Sequence, residues 1–264
     1  MSTTDTAVLI ALARGSYSSS QAELVELLGI NPTVGAAFED VWTNGGDYPF
    51  NVSSGDCEIV STDGADNAAG TGARTAVVTG IDTSGFSVSE TVILNGLSPV
   101  ALVNLYRRIF SVRIATCGSQ GINAGTITLS HASGAAEARA VIPIGAGKTQ
   151  MFIFSSSNLI ISDLVVSAVP AAGAVVANNV TTFQLQARSG LNTGATLVPW
   201  VTVDEFDVTD IQGTVRRAFM PLPPIILLGD LRLRAKCATA SMNVSARAIC
   251  YQPNTASTLS YPYP

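Results

Sequence analysis

From about Tyr48 onward the chain alternates apolar and polar residues with a period of two, the spacing of strands with one buried face. Between Gly72 and Gly96 the alternation runs out and back. Ala76-Val77-Val78 leads to the turn residues Asp82-Thr83-Ser84-Gly85, and Val88, Glu90, Val92 and Leu94 then share one parity against Ser89, Thr91 and Ile93. β-branched residues flanking Gly, Asp and Ser predict a hairpin. The same period predicts strands at Cys57–Ser61, Phe110–Ile114, Thr126–Leu129 and Ala138–Ile144. Later strands are expected at Thr149–Phe154, Leu159–Val169, Thr181–Arg188, Leu197–Val203, Leu231–Cys237 and Met242–Cys250. In Leu231–Cys237 the pattern puts Arg232, Arg234 and Lys236 on a wet face.

The first 48 residues carry a different signal. Ser20-Gln21-Ala22-Glu23 has the form of a capping box, with Leu24, Leu27 and Leu28 at helical spacing and Gly29 where a terminating glycine belongs. A short helix over Gln21–Leu28 is predicted, followed by a turn at Asn31-Pro32. The expected fold is all-β: two antiparallel β-sandwich domains, 49–146 and 147–264, after an N-terminal arm and helix, 1–48, that docks or anchors. Gly145-Ala146-Gly147 marks the boundary between the sandwiches.

Composition sharpens this picture. Of 264 residues 47% are hydrophobic and only 12% are charged, about half the usual share. A surface so short of charge is suited to contact with other subunits. Net charge is −5, and lysine occurs only as Lys148 and Lys236, so no basic run marks a nucleic-acid or anionic-membrane footprint. The paired arginines Arg107-Arg108 and Arg216-Arg217 read as salt-bridge partners or interface anchors. Apolar runs such as Ala7–Ala13 and Ile225–Leu228 are too short to span a bilayer. With no signal peptide in view, the expectation is a soluble product of a cytoplasm. Cys57, Cys117, Cys237 and Cys250 form no metal-type spacing and are expected as buried free thiols. If Ala238–Ser241 is a tight turn, Cys237 faces Met242 and lies too far from Cys250 to be bridged.

Candidate chemistry is sparse. Gly145–Thr149 has the Gly-Lys-Thr of a phosphate loop, but Ile142 stands where the first glycine belongs and Pro143 sits inside the loop. Asp204, Glu205, Asp207 and Asp210 form an acidic cluster, and Asp63, Asp66 and Asn67 a second; neither has a calcium-loop spacing, and both read as solvated carboxylates. His131, the one histidine, lacks a serine elbow or other partner and reads as a turn residue. Trp42 and Trp200 read as core residues. Tyr251, Tyr261 and Tyr263 with Pro253, Pro262 and Pro264 suggest a tail strapped over a neighbour. Asn51, Asn179 and Asn243 stand in glycosylation sequons in form only. No catalytic, cofactor-binding or metal-binding residue is assigned, and the chain is read as a non-enzyme.

Ser89-Glu90-Thr91-Val92-Ile93-Leu94-Asn95-Gly96 resembles the SETVxLNG signature of a β-rich virion structural protein family of tailed bacteriophages, of the marine or cyanophage type. Gly70-Thr71-Gly72-Ala73-Arg74-Thr75 precedes it. Gly118–Ile127 follows, similar to the family's GSxGxNxGxI, and Gly145–Gln150 is similar to its GAGKT. The resemblance covers roughly residues 42 to 150; around Asn158 the chain departs from the family's Pro-Ala-Gly-Lys turn. It implies a structural protein of a virion, made in the host cytoplasm. Such a protein would assemble with copies of itself, a trimer among the options, and with other virion proteins. Neither nucleic acid nor membrane is expected as a partner. Capsid decoration or a head or neck appendage is the expected place. The alternatives are a tail or baseplate component and an adhesin for a host surface glycan; a glycan depolymerase ranks behind them.

Overall fold

The computed structural model describes residues 22–50, 56–132, 137–171, 179–189, 198–209, 213–218, 225–238 and 241–253. Among these residues the regular structure is all strand, and every ladder is antiparallel. Three sheets form.

The middle of the chain builds the two smaller sheets. The hairpin expected between Gly72 and Gly96 is β4 (Ala73–Asp82) and β5 (Ser87–Ile93), and β7 (Tyr106–Cys117) joins β4 to give the order β5-β4-β7. The second small sheet runs β6-β3-β8-β9, from β6 (Val100–Ala101), β3 (Cys57–Ser61), β8 (Ile127–His131) and β9 (Ala138–Ile142). The parity read from the sequence holds: Val92 and Leu94 are buried, while Ser89, Thr91 and Ile93 are exposed. Both sheets feed one core, including Ile59, Ala76, Val78, Val92, Ile109, Leu129 and Ile142. At the hairpin turn the Asp82 carboxylate accepts from the N–H groups of Ser84 (2.8 Å) and Phe86 (2.9 Å), which selects this turn over a longer loop.

The large sheet draws on both ends of the described chain. Its order is β1 (Ala22–Val34), β15 (Met242–Pro253), β10 (Ile153–Pro170), β14 (Ile225–Cys237), β11 (Val180–Ser189) and β12 (Val201–Thr209). β13 (Thr214–Ala218) pairs with β10, and β2 (Glu39–Asp40) with β14. One face buries Leu27, Ile161, Leu164, Phe183, Leu185, Leu233, Val244 and Ala248 in a second core. Phe110 of β7 stacks on Phe154 of β10, with 4.8 Å between ring centroids, where the small sheets meet the large one.

Two sequence expectations are corrected. The segment expected to be a helix over Gln21–Leu28 is strand from Ala22 onward, paired along its length with β15; Gln21 lies outside the described residues. A marginal eight-residue helix cannot compete with a full antiparallel ladder, whatever its local cap. Gly29 is mid-strand rather than terminal. A Cβ there would lie 2.5 Å from the Val41 carbonyl oxygen and 2.7 Å from the Phe152 Cβ, so the glycine admits a crossing backbone. The Asn31-Pro32 turn is a shift of register within β1, between Asn31 and Val34. Second, β14 and β15 are not neighbours, because β10 lies between them, so Cys237 does not face Met242. All four cysteines are free thiols.

Candidate functional site

The segments that resemble the virion family meet at a single point. Asp66 is fully buried, and its carboxylate accepts from the Ser61 hydroxyl (2.6 Å) and the N–H groups of Ala73 (2.7 Å), Ala124 (2.8 Å) and Gly125 (2.8 Å). Its backbone carbonyl takes the Gly96 N–H at 2.7 Å. Burial opposes ionisation, but the hydroxyl and the backbone donors outweigh it and hold the carboxyl below its usual range. Gly72 has no side chain because a Cβ would fall 2.2 Å from Asp66 Oδ1. Buried Asn123 completes the arrangement. Its Nδ2 donates to the carbonyls of Gly125 (2.7 Å) and Pro143 (2.8 Å), and its Oδ1 accepts the Gly147 N–H at 3.1 Å. Glu90, within the SETV stretch, caps the N–H groups of Val103 (2.9 Å) and Asn104 (3.4 Å). The Glu90 contacts lie beside the hairpin tip, whereas the segments around Gly72, Gly96, Ala124 and Gly147 form one hydrogen-bonded knot on Asp66 and Asn123 at the other end of the small sheets.

A second constellation lies between the small sheets and the polar face of the large one. Asp230 of β14 is buried and is held by Arg108 of β7 (3.2 Å), Arg188 of β11 (2.5 Å) and the Ser155 hydroxyl of β10. Burial opposes its ionisation, but Arg108, Ser155 and Arg188 prevail and keep the carboxyl below its ordinary range. The guanidinium groups of Arg188 and Arg232 stack on Trp200 at 4.4 and 4.1 Å, and that of Arg188 also lies 5.2 Å from the Phe50 ring centre. Arg232 and Arg234 each approach Asp40 at 3.5 Å, and Asp40 accepts the Tyr48 N–H at 2.7 Å. Here burial wins: the Asp40 carboxyl is pushed up to about 6, against the pull of Arg232, the Tyr48 N–H and Arg234.

The expected wet face of β14 is thus largely covered. Arg232 is buried because Asp40, Phe50 and Trp200 pack over it, and Arg234 is half-buried against Asp40, Asp47 and Phe38. Sequence reasoning did not single out Asp40, Arg188 or Asp230. The available signal was weak: acids flanked by apolar residues in Glu39-Asp40-Val41-Trp42 and Gly229-Asp230-Leu231.

The other candidates fall apart as sites. Asp204 pairs with Arg217 at 3.0 Å, Glu205 accepts from Gln184, and Asp207 is exposed on β12; Asp210 lies outside the described residues. Asp63 and Asn67 cap their own loop through the N–H groups of Ala65 and Ala69, while Asp66 is spent in the knot. No group of three or more His, Cys, Asp or Glu residues disposed to hold a metal occurs among the described residues. After Gly145 and Gly147, both at positive φ, the chain continues as an isolated bridge, Arg113 to Lys148, and not as a helix that would cradle phosphate. His131 sits at the end of β8 opposite Cys57. Arg216 bonds Asp163 at 2.6 Å, and Arg108 and Arg217 also act as ion-pair partners, as read from the sequence. Trp42 is buried, and Trp200 is half-buried under the arginines. Asn179 is buried and Asn243 exposed. The sequon at Asn51, the segment Ala7–Ala13 and Tyr261 and Tyr263 with their prolines lie outside the described residues, as do the side chains of Tyr251 and Pro253. No helix among the described residues is long and apolar enough to cross a membrane.

No family model matches the chain, and no curated protein does. Among solved structures, the infectious bursal disease virus Gt strain structure aligns over 88% of this chain and 72% of that one, at 10% identity and a TM-score of 0.18. The infectious bursal disease virus VP2 subviral particle aligns over 89% and 82%, at 10% identity and a TM-score of 0.14. Overlaps of that quality carry no argument about fold or function.

Proposed function

We propose that the chain is a non-enzymatic structural subunit of a virus particle, of the tailed-phage type, placed as capsid decoration or as a head or neck appendage. One observation carries the reading: the segments that resemble a phage virion family converge on Asp66 and Asn123, where their side chains hold the backbone and leave no group free for chemistry. Those residues do structural work, and a structural role is what the resemblance implies. The arginine–aromatic junction supports the same reading, since it ties the small sheets rigidly to the large one. Large exposed apolar side chains on a chain with 12% charge add the means of association.

The test is to follow a tagged copy through density-gradient purification of the particles made in the same cells. A structural subunit bands with intact particles at a fixed copy number that survives repeated banding. Recovery only in the soluble fractions, with particle yield unchanged when the gene is disrupted, overturns the proposal.

A further inference from the structure

The unit built by the two small sheets has two unlike ends, and each exposes apolar side chains. At one end lie the hairpin tip and the β6–β7 connection. Phe86 is 71% exposed and Val103 89%, with Leu105 beside them. They belong together: Asp82 accepts the Phe86 N–H and pairs in register with Tyr106, which follows Leu105. At the other end is the knot. Leu97 (66% exposed) follows Gly96, which is bound to Asp66; Ile144 (66%) precedes Gly145, whose N–H reaches the Asn123 carbonyl; and Ile122 precedes Asn123. About ten extended residues separate Phe86 from Gly96, roughly 30 Å.

The charges at the two ends are opposite. The tip end presents Asp56 and Glu137, both exposed, with Asp82 half-buried; the Ala132 N–H bonds the Asp56 carbonyl and the Leu102 N–H the Cys57 carbonyl, which places them beside Val103. Its arginines, Arg107, Arg108 and Arg139, are buried. The knot end presents exposed Lys148 and half-buried Arg74 against exposed Asp63. An apolar acidic end and an apolar basic end on one unit complement each other, whereas two tips or two knots repel.

We infer that copies of this chain associate head to tail, the tip end of one seated on the knot end of the next. The inference rests on the reading of the chain as an assembling subunit and names its contact surface. Three large side chains at each end expose on the order of 300 Å² of apolar area, well under the ~800 Å² per partner of a standard interface. One such contact is weak. It holds a stable assembly where the rotation between neighbours closes a ring, so that every copy is held at both ends; without closure the same contact builds only short open filaments.

The experiment uses the full chain and two surface variants, F86S/V103S at the tip and L97S/I144S at the knot, with circular dichroism as the folding control. By sedimentation velocity, each variant alone loses the assembly of the parent, with association weakened by roughly tenfold or more. An equal mixture, read at about 100 µM because a single contact lacks the reinforcement of a ring, forms mixed pairs and nothing larger. Should the knot variant fail to fold, Lys148→Glu replaces it, and high salt must weaken the parent's association. Assembly unchanged in both variants overturns the inference. So does a knot variant that assembles normally while the tip variant does not, which indicates tip-to-tip contact. A mixture without mixed pairs overturns it too, leaving the subunit reading intact. A parent that stays monomeric at every concentration overturns the inference, while the subunit reading stands or falls on banding with particles.

Discussion

Asp40 gives the sharpest physical prediction. Its carboxylate is fully buried on β2 and faces Arg232 and Arg234 of β14 and Asp47 and Tyr48 of the following loop. Burial sets its pKa at about 6 in the folded chain, against an unperturbed 3.8. The native state therefore binds more protons than the unfolded state between those values, and stability rises as pH falls through the window. The gain is about 0.8 kcal/mol between pH 7.5 and 5.5, and about 1.4 kcal/mol by pH 5. Asp230 and Asp66 do not mask it, because their carboxyls are held below the ordinary range and lose their contribution only in stronger acid. Urea unfolding followed by tryptophan fluorescence at pH 7.5, 6.5, 5.5 and 5.0 measures the slope. Asp40→Asn removes the titrating group while keeping an acceptor for the Tyr48 N–H, and flattens the profile. A parent whose stability falls from pH 7.5 to 5.5, or an Asp40→Asn variant with the parent's slope, refutes the reasoning.

The other predictions address the knot, the junction, the corrected strand and the thiols. Asp66→Ala orphans a hydroxyl and three N–H donors and costs about 3 kcal/mol or more in urea unfolding. Arg188→Ala leaves Asp230 short of a partner in a buried setting and strips Trp200 of one stacked cation; a loss of about 3–5 kcal/mol with altered tryptophan fluorescence is expected. Gly29→Ala drives a Cβ against the Val41 carbonyl and destabilises by more than about 2 kcal/mol, whereas in an exposed helix interior the same change would stabilise by about 1 kcal/mol. Thiol titration gives four reactive groups in denaturant and early reaction of Cys117 alone in the native state, since Cys57, Cys237 and Cys250 are buried.

The strands were legible wherever one face is buried and the other wet, because period two then writes burial directly into the sequence. The β4–β5 hairpin and the alternating halves of β11, β14 and β15 follow that rule. Two features escaped. The capping box before Glu23 is a local signal, while the ladder that claims Ala22–Val34 is made with β15, more than two hundred residues away in sequence. Likewise the polar face of β14 looks solvated from its own residues; its cover comes from Asp40, Phe50 and Trp200, which no local pattern connects to it. Of the site, Asp66 was visible only as one acid in a polar loop. Its role depends on Ala73, Ala124 and Gly125 converging on it, a fact of topology rather than spacing.

The most direct measurement is the mass of the purified chain by light scattering across a concentration series at neutral pH. The account predicts one discrete multiple of the chain mass, held over a wide range of concentration and lost when the tip or the knot is made polar. A clean monomer at every concentration contradicts it.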